Sequence, residues 1–319
     1  MTNISNQNIL GELIDNEPLK ELLISEKLID SETLKELRRL DFFKTCLRSL
    51  FILSLYAFLG AVGIWWNVWW VWLIVWWFQG CIFGGFFNAC HEGIHAYFGK
   101  SPLVNRLGGV FWSSPILLNF TLFKYFHLDH HRYANLRGDP ESPRIFSNIW
   151  DYVQKLMGTS LYIPFWIMTV RAVFGHFPDF IRSEKARRDV HLDNIALLVW
   201  LLIISIASVL WTDYTIRLYW IPLIVFFGPM EFLLGCIEHY GCDQEADVLC
   251  NTRSMTSNFL LRYILWNANY HAEHHAYPSI PSHNLPQLHL LVGDRFKFRE
   301  QSYVLFHLKL IWGLLKFGV

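Results

Sequence analysis

Charge is scarce in this chain. Only 17% of its 319 residues are Asp, Glu, Lys or Arg, and 27 basic residues cancel 27 acidic ones. Without a basic excess there is no electrostatic footprint for nucleic acid. Paired cysteines are also lacking. Cys46, Cys81, Cys90, Cys236, Cys242 and Cys250 make no CxxC and no zinc-ribbon spacing, so they read as single buried or cytoplasmic thiols. The first 45 residues mix acidic and basic side chains and hold no apolar run of the secretory-leader kind. There is no low-complexity tract and no internal repeat beyond a loose two-hairpin symmetry. What abounds is apolar surface: 53% of residues, including 15 Trp and 26 Phe. That exceeds the usage of ordinary soluble domains, and several runs approach the roughly 20 residues that span a bilayer.

Those runs predict spans over 47–65 and 68–89, with a short break at Trp66–Asn67, and over 194–211 and 218–237, joined by a turn at Thr212–Arg217. The stretch 103–123 is broken by Asn105, Arg106, Gly108, Gly109 and Pro115 and suits a re-entrant or interfacial segment. Tyr152–Phe174 carries Lys155 and Arg171, and Tyr303–Val319 carries Lys309 and Lys316, so both are expected to lie on the membrane. In the first 45 residues, LGELI, LKELLISEKLI and SETLKELRRL have helical spacing and read as a solvated or membrane-surface extension. The predicted fold is an all-α integral membrane protein: four transmembrane helices in two hairpins, under a cytoplasmic helical cap. Residues 1–45 form the N-terminal segment, 46–298 the membrane domain and 299–319 a C-terminal interfacial helix.

Orientation follows from lysine and arginine. The inter-span turns have almost none. The N-terminal segment has Lys35, Arg38, Arg39, Lys44 and Arg48, and the central loop has Arg132, Arg137, Arg144, Arg182, Lys185, Arg187 and Arg188. Both termini and the central loop are therefore expected in the cytoplasm.

Eight histidines fall in three boxes on that same side: His91 and His95 in HEGIH; His127, His130 and His131 in HLDHH; His271, His274 and His275 in HAEHH. Residues three and four apart share a helix face, so each box gathers its imidazoles. Imidazole suits iron, zinc and copper. Eight ligands exceed a typical zinc centre and fit two metals with four or five each. His239, at the end of the fourth span, is the candidate ninth ligand; its alternative is a helix-end contact to carbonyls. His283 is a weaker candidate and reads as part of a polar loop. Ligating histidines need their outer nitrogen held. Glu92, Asp129 and Glu273 rank first for that because they lie within the boxes, ahead of Glu238, Asp139 and Glu141. Asn267 and Asn269 are placed to hold a metal-bound water. HEGIH also matches HExxH, the zinc-protease pattern with glutamate as base. That reading leaves both HxxHH boxes unexplained.

The three boxes resemble those of the membrane fatty acid desaturases. GDPES at 138–142 follows box two as in many members, and EHYG at 238–241 resembles the segment that supplies an extra ligand. NANYHAEHHAYPSIPSHNLPQLH at 267–289 looks much like box three of bacterial and cyanobacterial acyl-lipid members. The likeness covers about residues 50–295 and is specific for the superfamily, which also contains hydroxylases, acetylenases and carotenoid ketolases. It implies a non-haem diiron centre, oxygen as co-substrate and a narrow apolar tunnel for an acyl chain carried on lipid, coenzyme A or carrier protein. No HPGG of a fused cytochrome b5 is visible, so a ferredoxin-like protein or free cytochrome b5 is the implied electron donor. Some animal-type members have asparagine four residues before the extra histidine; here that position is Gly235. Gly84 and Gly85, just before box one, suit close helix packing or passage of a chain beside the helix.

Overall fold

The computed structural model describes residues 28–141 and 145–317. It is helical almost throughout. Asp30 starts α1 (Ser31–Leu37) by accepting from the backbone N–H groups of Glu32 and Thr33. LGELI and nearly all of LKELLISEKLI lie outside the described residues. Leu34 and Leu37 of α1 are buried against Tyr270, Tyr277, Leu285 and Leu288. This stretch is therefore docked on the box-three region, where the sequence suggested a solvated or membrane-surface segment. Both leucines of α1 find apolar partners within the chain, and that outweighs its charged face.

Four helices are long and apolar enough to cross a membrane: α2 (Phe42–Trp66), α3 (Trp69–Ile94), α8 (Glu184–Leu210) and α9 (Thr212–His239). They match the four predicted spans, with Val68 and Trp211 left as caps, and otherwise run past them. Polar ends such as EKARRD of α8 prolong the helix beyond its apolar core, which Ser183 caps. The turn expected over Thr212–Arg217 is instead the first part of α9, and the break falls at Trp211. Within α9 the backbone runs as wide π turns over Ile216–Trp220 and Pro222–Phe227. Pro222 brings no N–H to that ladder. The two hairpins meet at their tips: Arg217 donates to the Asn67 side chain at 2.6 Å, and Asn67 turns the first hairpin with φ 45°.

Between the hairpins lie α4 (Pro102–Ser113), α5 (Phe120–Tyr133), α6 (Ile149–Leu156) and α7 (Thr159–Val173). The 103–123 stretch does not cross; α4 presents Leu103, Leu107 and Phe111 outward and packs its other face on α3. α7 likewise exposes Ile163, Ile167, Val170 and Phe174, as an interfacial helix should. The rest is α10 (Phe259–Ile264), α11 (His271–Ala276), α12 (Leu285–Val292) and α13 (Tyr303–Phe317). A parallel two-strand ribbon, β1 (Arg253–Met255) with β2 (Phe298–Glu300), is the only non-helical regular element among the described residues. α13 buries Leu314 against Phe146, Tyr152, Phe232 and Cys236 while Val304, Leu308 and Trp312 face outward.

The glycine pair of α3 divides between the two roles expected for it. A Cβ on Gly85 would lie 2.6 Å from the Ile264 carbonyl oxygen, whereas one on Gly84 would meet Leu265 and Leu234 at 3.5 and 3.6 Å. Gly85 lets α10 pack close; Gly84 faces a cavity. Gly85→Ala is expected to destabilise by about 1–3 kcal/mol and Gly84→Ala to be neutral or slightly stabilising. Thermal unfolding of both in detergent checks this, and equal midpoints would refute it.

Candidate metal centre

Box one occupies the last turn of α3, so the second span itself carries His91, and His95 follows at its C-cap. Box two lies on α5, which is pinned to α8. Asn119 caps α5 at Leu122 N–H and donates to the Val190 carbonyl and Asn194. Asp193 accepts from Thr121 N–H at 2.7 Å and from Arg106 at 2.6 Å. Box three, on α11, is held by β1: Met255 N–H donates to the Asn269 carbonyl and Asn269 donates to the Met255 carbonyl. The box histidines thus stand on three supports that are remote in sequence.

All nine histidines named from the sequence come together, in two groups. Ring nitrogens of His91, His95, His127, His131 and His274 lie within 4.8 Å of one another, as do those of His130, His239, His271 and His275. The division follows from helix geometry. At about 100° per residue, positions i and i+4 point about 40° apart, while i+3 and i+4 diverge by about 100°. Each HxxHH therefore sends its outer pair to one group and its middle histidine to the other. His127 and His131 go one way and His130 the other; His271 and His275 join His130, while His274 crosses over.

The nitrogens of the first group fit a cation better than they fit each other; in the second, Nε2 of His239 lies 2.9 Å from that of His271 and Nε2 of His130 lies 3.2 Å from that of His275. Nε2 of His127 lies 2.9 Å from Nε2 of His91 and 2.8 Å from that of His131, which is 3.0 Å from that of His274. A neutral ring nitrogen carries either one hydrogen or one lone pair. His127 and His131 cannot serve two nitrogen neighbours each with ordinary hydrogen bonds. Nε2 of His95 is buried and has no hydrogen-bond partner. Four or more lone pairs aimed at one point are what a metal takes, and ligands about 2.1 Å from a metal stand about 3 Å apart. Burial first, and neighbouring imidazoles second, hold His127, His131, His271 and His275 well below the ordinary histidine range. Rings kept neutral this way keep the lone pair a metal needs.

Two outer nitrogens are held by hydrogen bonds, neither of them by a group ranked first. His130 Nδ1 donates to Asp139 at 2.9 Å, and His239 Nδ1 donates to the Asn251 carbonyl at 3.2 Å. Burial raises the Asp139 carboxyl, but the His130 bond and the N–H groups of Asn135 and Glu141 outweigh it and leave it low. Glu238 approaches the outer Nδ1 of His271 at 3.6 Å, whereas Glu141 approaches the inner Nε2 of His130 at 3.5 Å. Glu92 accepts from Ser282, and Glu273 from Ser254 and His289. Asp129 pairs with Arg132 on the outer face of α5. Asn267 sits in a left-handed turn, φ 57°, and donates to the Ser282 carbonyl; it lines a different cavity. Membership of a box put Glu92, Asp129 and Glu273 next to ligands in sequence, but the residue beside a ligand on a helix points away from it. His283 donates to the Arg39 carbonyl, within a polar loop as read. Asn251 went unnoticed because a backbone carbonyl leaves no mark in a sequence.

A cavity of about 70 Å³ adjoins the first group, with His91, His127, His271 and His274 in its wall. Gly84, Phe87, Phe123 and Trp266 make it apolar on one side; Glu141, Glu231 and Glu238 line the other. Gly235 also borders it, and a Cβ there would sit 3.1 Å from the Glu231 carboxylate. An open apolar groove of about 770 Å³ lies beyond, between α2, α3, α9, α10 and α13, and Leu234 lines both spaces.

The profile of the fatty acid desaturase family matches residues 65–307, a stretch that takes in all three boxes and His239. The chain belongs to this family. The chain is similar to the sphingolipid delta(4)-desaturase/C4-monooxygenase DES2 of Bos taurus, 27% identical over 300 residues, covering 90% of this chain and 85% of that protein. It is also similar to the sphingolipid delta(4)-desaturase DES1-like of Arabidopsis thaliana, at 24% over 68% of this chain and 64% of the other. The chloroplastic omega-3 fatty acid desaturase of Sesamum indicum is 26% identical over 71% and 56%. The chain is thus an oxidoreductase, and the zinc-protease reading of HEGIH falls: its two histidines belong to a group of five. Removing the Asp139 carboxylate, in Asp139→Asn, is expected to lower metal affinity about 10–100-fold. Metal retained per chain after a chelator challenge measures it, with Glu273→Gln, whose partners lie elsewhere, expected to match wild type.

Proposed function

We propose that this desaturase is an oxygen-dependent diiron enzyme that introduces a double bond into a fatty acyl chain, with electrons from a separate ferredoxin-like or cytochrome b5 donor. The observation that carries the reading is the pairing of two buried imidazole groups with a cavity that shares Leu234 with an apolar groove. His91, His95, His127, His131 and His274 would hold one iron, and His130, His239, His271 and His275 the other. The bound irons would supply oxygen activation for removal of two hydrogens from adjacent methylenes.

The remaining work falls to the chain itself. The groove has the size of an ordinary ligand site and walls of Leu55, Leu59, Ile82, Met230 and Leu261, which suit a hydrocarbon chain. Its polar atoms, on Asn258, Tyr303 and His307, stand among those walls and suit the polar end of a substrate. Leu234 stands where groove meets cavity and sets how far a chain advances toward His91 and His274. Phe87, Phe123 and Trp266 exclude bulk water from the reacting carbons, and the cavity has room for about two water-sized molecules. With the N-terminal segment and central loop rich in lysine and arginine, the metal centre faces the cytoplasm.

Hydroxylation at the same centre is the second reading. It is favoured by one observation: the name of the bovine relative couples desaturase with C4-monooxygenase. Lipids from a host expressing the chain separate the two, since a desaturase product has lost two hydrogens and a hydroxylase product has gained one oxygen. The purified protein is expected to carry close to two irons per chain. One zinc and no iron would overturn the diiron reading. His130→Ala is expected to abolish oxidation while the protein still inserts, and retained turnover would remove His130 from the centre.

A further inference from the structure

A separate cavity of about 280 Å³ opens where α2 begins. Lys44 and Arg48 of α2, Arg262 and Tyr263 of α10, and His283 line it. We propose that this cavity binds a phosphate-type anion at the membrane surface, a site distinct from the metal centre. Three permanent cations converge there, and among the described residues no carboxylate lines it. Two carboxylates act on these cations from outside the lining, Asp41 on Lys44 and Glu92 on Arg48. Asp41 caps α2 at Lys44 N–H and lies 3.6 Å from the Lys44 ammonium; Glu92 accepts from Ser282 on the metal side.

Two of the cations each keep one buried nitrogen without an acceptor. Arg48 is only 7% exposed, its guanidinium stacks 4.6 Å from the Tyr263 ring, and its Nη1 is buried with no partner. Arg262 donates one nitrogen to the Tyr270 hydroxyl, while its Nε is buried without a partner. Buried guanidinium N–H groups are costly to leave unpaired, so the arrangement is complete only with an acceptor. Guanidinium forks match a phosphate's oxygens in pairs, and the Lys44 ammonium adds a point charge. His283 contributes wall rather than a donor, because its Nε2 already donates to the Arg39 carbonyl.

The surroundings fit a phosphate carried by a lipid. Phe43, Leu47 and Phe259 are 74%, 49% and 71% exposed beside the cavity, where α2 enters its apolar stretch. A lipid phosphate among Lys44, Arg48 and Arg262 would leave its chains against those side chains. Trp266 stands between the two sites: it borders the metal cavity and lies 5.3 Å from Arg48. The anion is thus a neighbour of the centre and does not enter it.

Free phosphate offers the same oxygens, so the test has two arms. The full chain in neutral detergent is heated with increasing phosphatidate, with diacylglycerol of the same chains, or with inorganic phosphate. Phosphatidate is expected to raise the unfolding midpoint saturably and diacylglycerol to leave it unchanged. Arg262→Gln and Lys44→Gln are each expected to weaken the apparent affinity about tenfold or more. Arg48 is left intact because its burial ties it to the fold. A rise with inorganic phosphate that both variants weaken supports the site with a soluble anion as its source; no rise with phosphate assigns it to lipid. No response to either anion, or variants that respond as wild type does, would overturn the proposal. Metal per chain is measured in every sample and held equal, so that the shift in midpoint reports the anion and not the metal centre.

Discussion

Nine imidazoles crowded into two groups, with their nitrogens within 4.8 Å of one another in each, are the constraint on which this fold turns. Such crowding is unfavourable unless every ring is neutral and every lone pair has a use. Burial supplies the neutrality, and acceptors behind the rings fix where the hydrogens sit. Asp139 behind His130 and the Asn251 carbonyl behind His239 leave the inner nitrogens bare. An arrangement of this kind is stable only if the backbone cannot drift, since a shift of one ångström separates lone pairs from their common point.

Much of the cap reads as a response to that demand. α5 is tied to the third span by an Asn119, Asp193 and Arg106 network rather than by packing alone. Buried side chains that hydrogen-bond in fixed directions specify register in a way that apolar contact does not. α11 is too short to hold itself, with six residues, and the β1 strand takes over through paired bonds with Asn269. Leu34 and Leu37 of α1 close the far side of the same region. Outside this polar frame the helices are smooth and aromatic, and their exposed leucines and tryptophans suit a lipid surround in which packing carries little of the specificity.

Legibility in the sequence tracks this division. The four spans could be read because a bilayer imposes a length, and the box histidines because a helix imposes a period. His239 was readable for a related reason: it closes the last turn of a span whose end must lie near box one. The outer partners were not readable. Glu92 and Glu273 were chosen for being adjacent in sequence, yet adjacency on a helix turns a side chain away, and both accept hydrogen bonds from serines in other segments. Asp139 ranked below them and proved the better partner because a turn after box two folds it back under His130. The docking of α1 was equally hidden, since an amphipathic stretch shows that a helix has an apolar face and not what that face meets.

The same reasoning separates metal binding from the outcome of the oxidation. The spacing i, i+3, i+4 accounts for how the imidazoles divide between the two groups. The space where a carbon would stand is built from other elements: Gly84 and Phe87 of α3, Leu234 and Gly235 of α9, and Trp266 after α10. None of these lies within a box, and each is free to vary without disturbing a lone pair. Gly84 faces the cavity, Leu234 borders both cavity and groove, and Gly235 leaves room that the Glu231 carboxylate borders. The histidine groups and the walls of the cavity are therefore built from separate residues, and a substitution such as Leu234→Ala changes the cavity without touching a ring nitrogen.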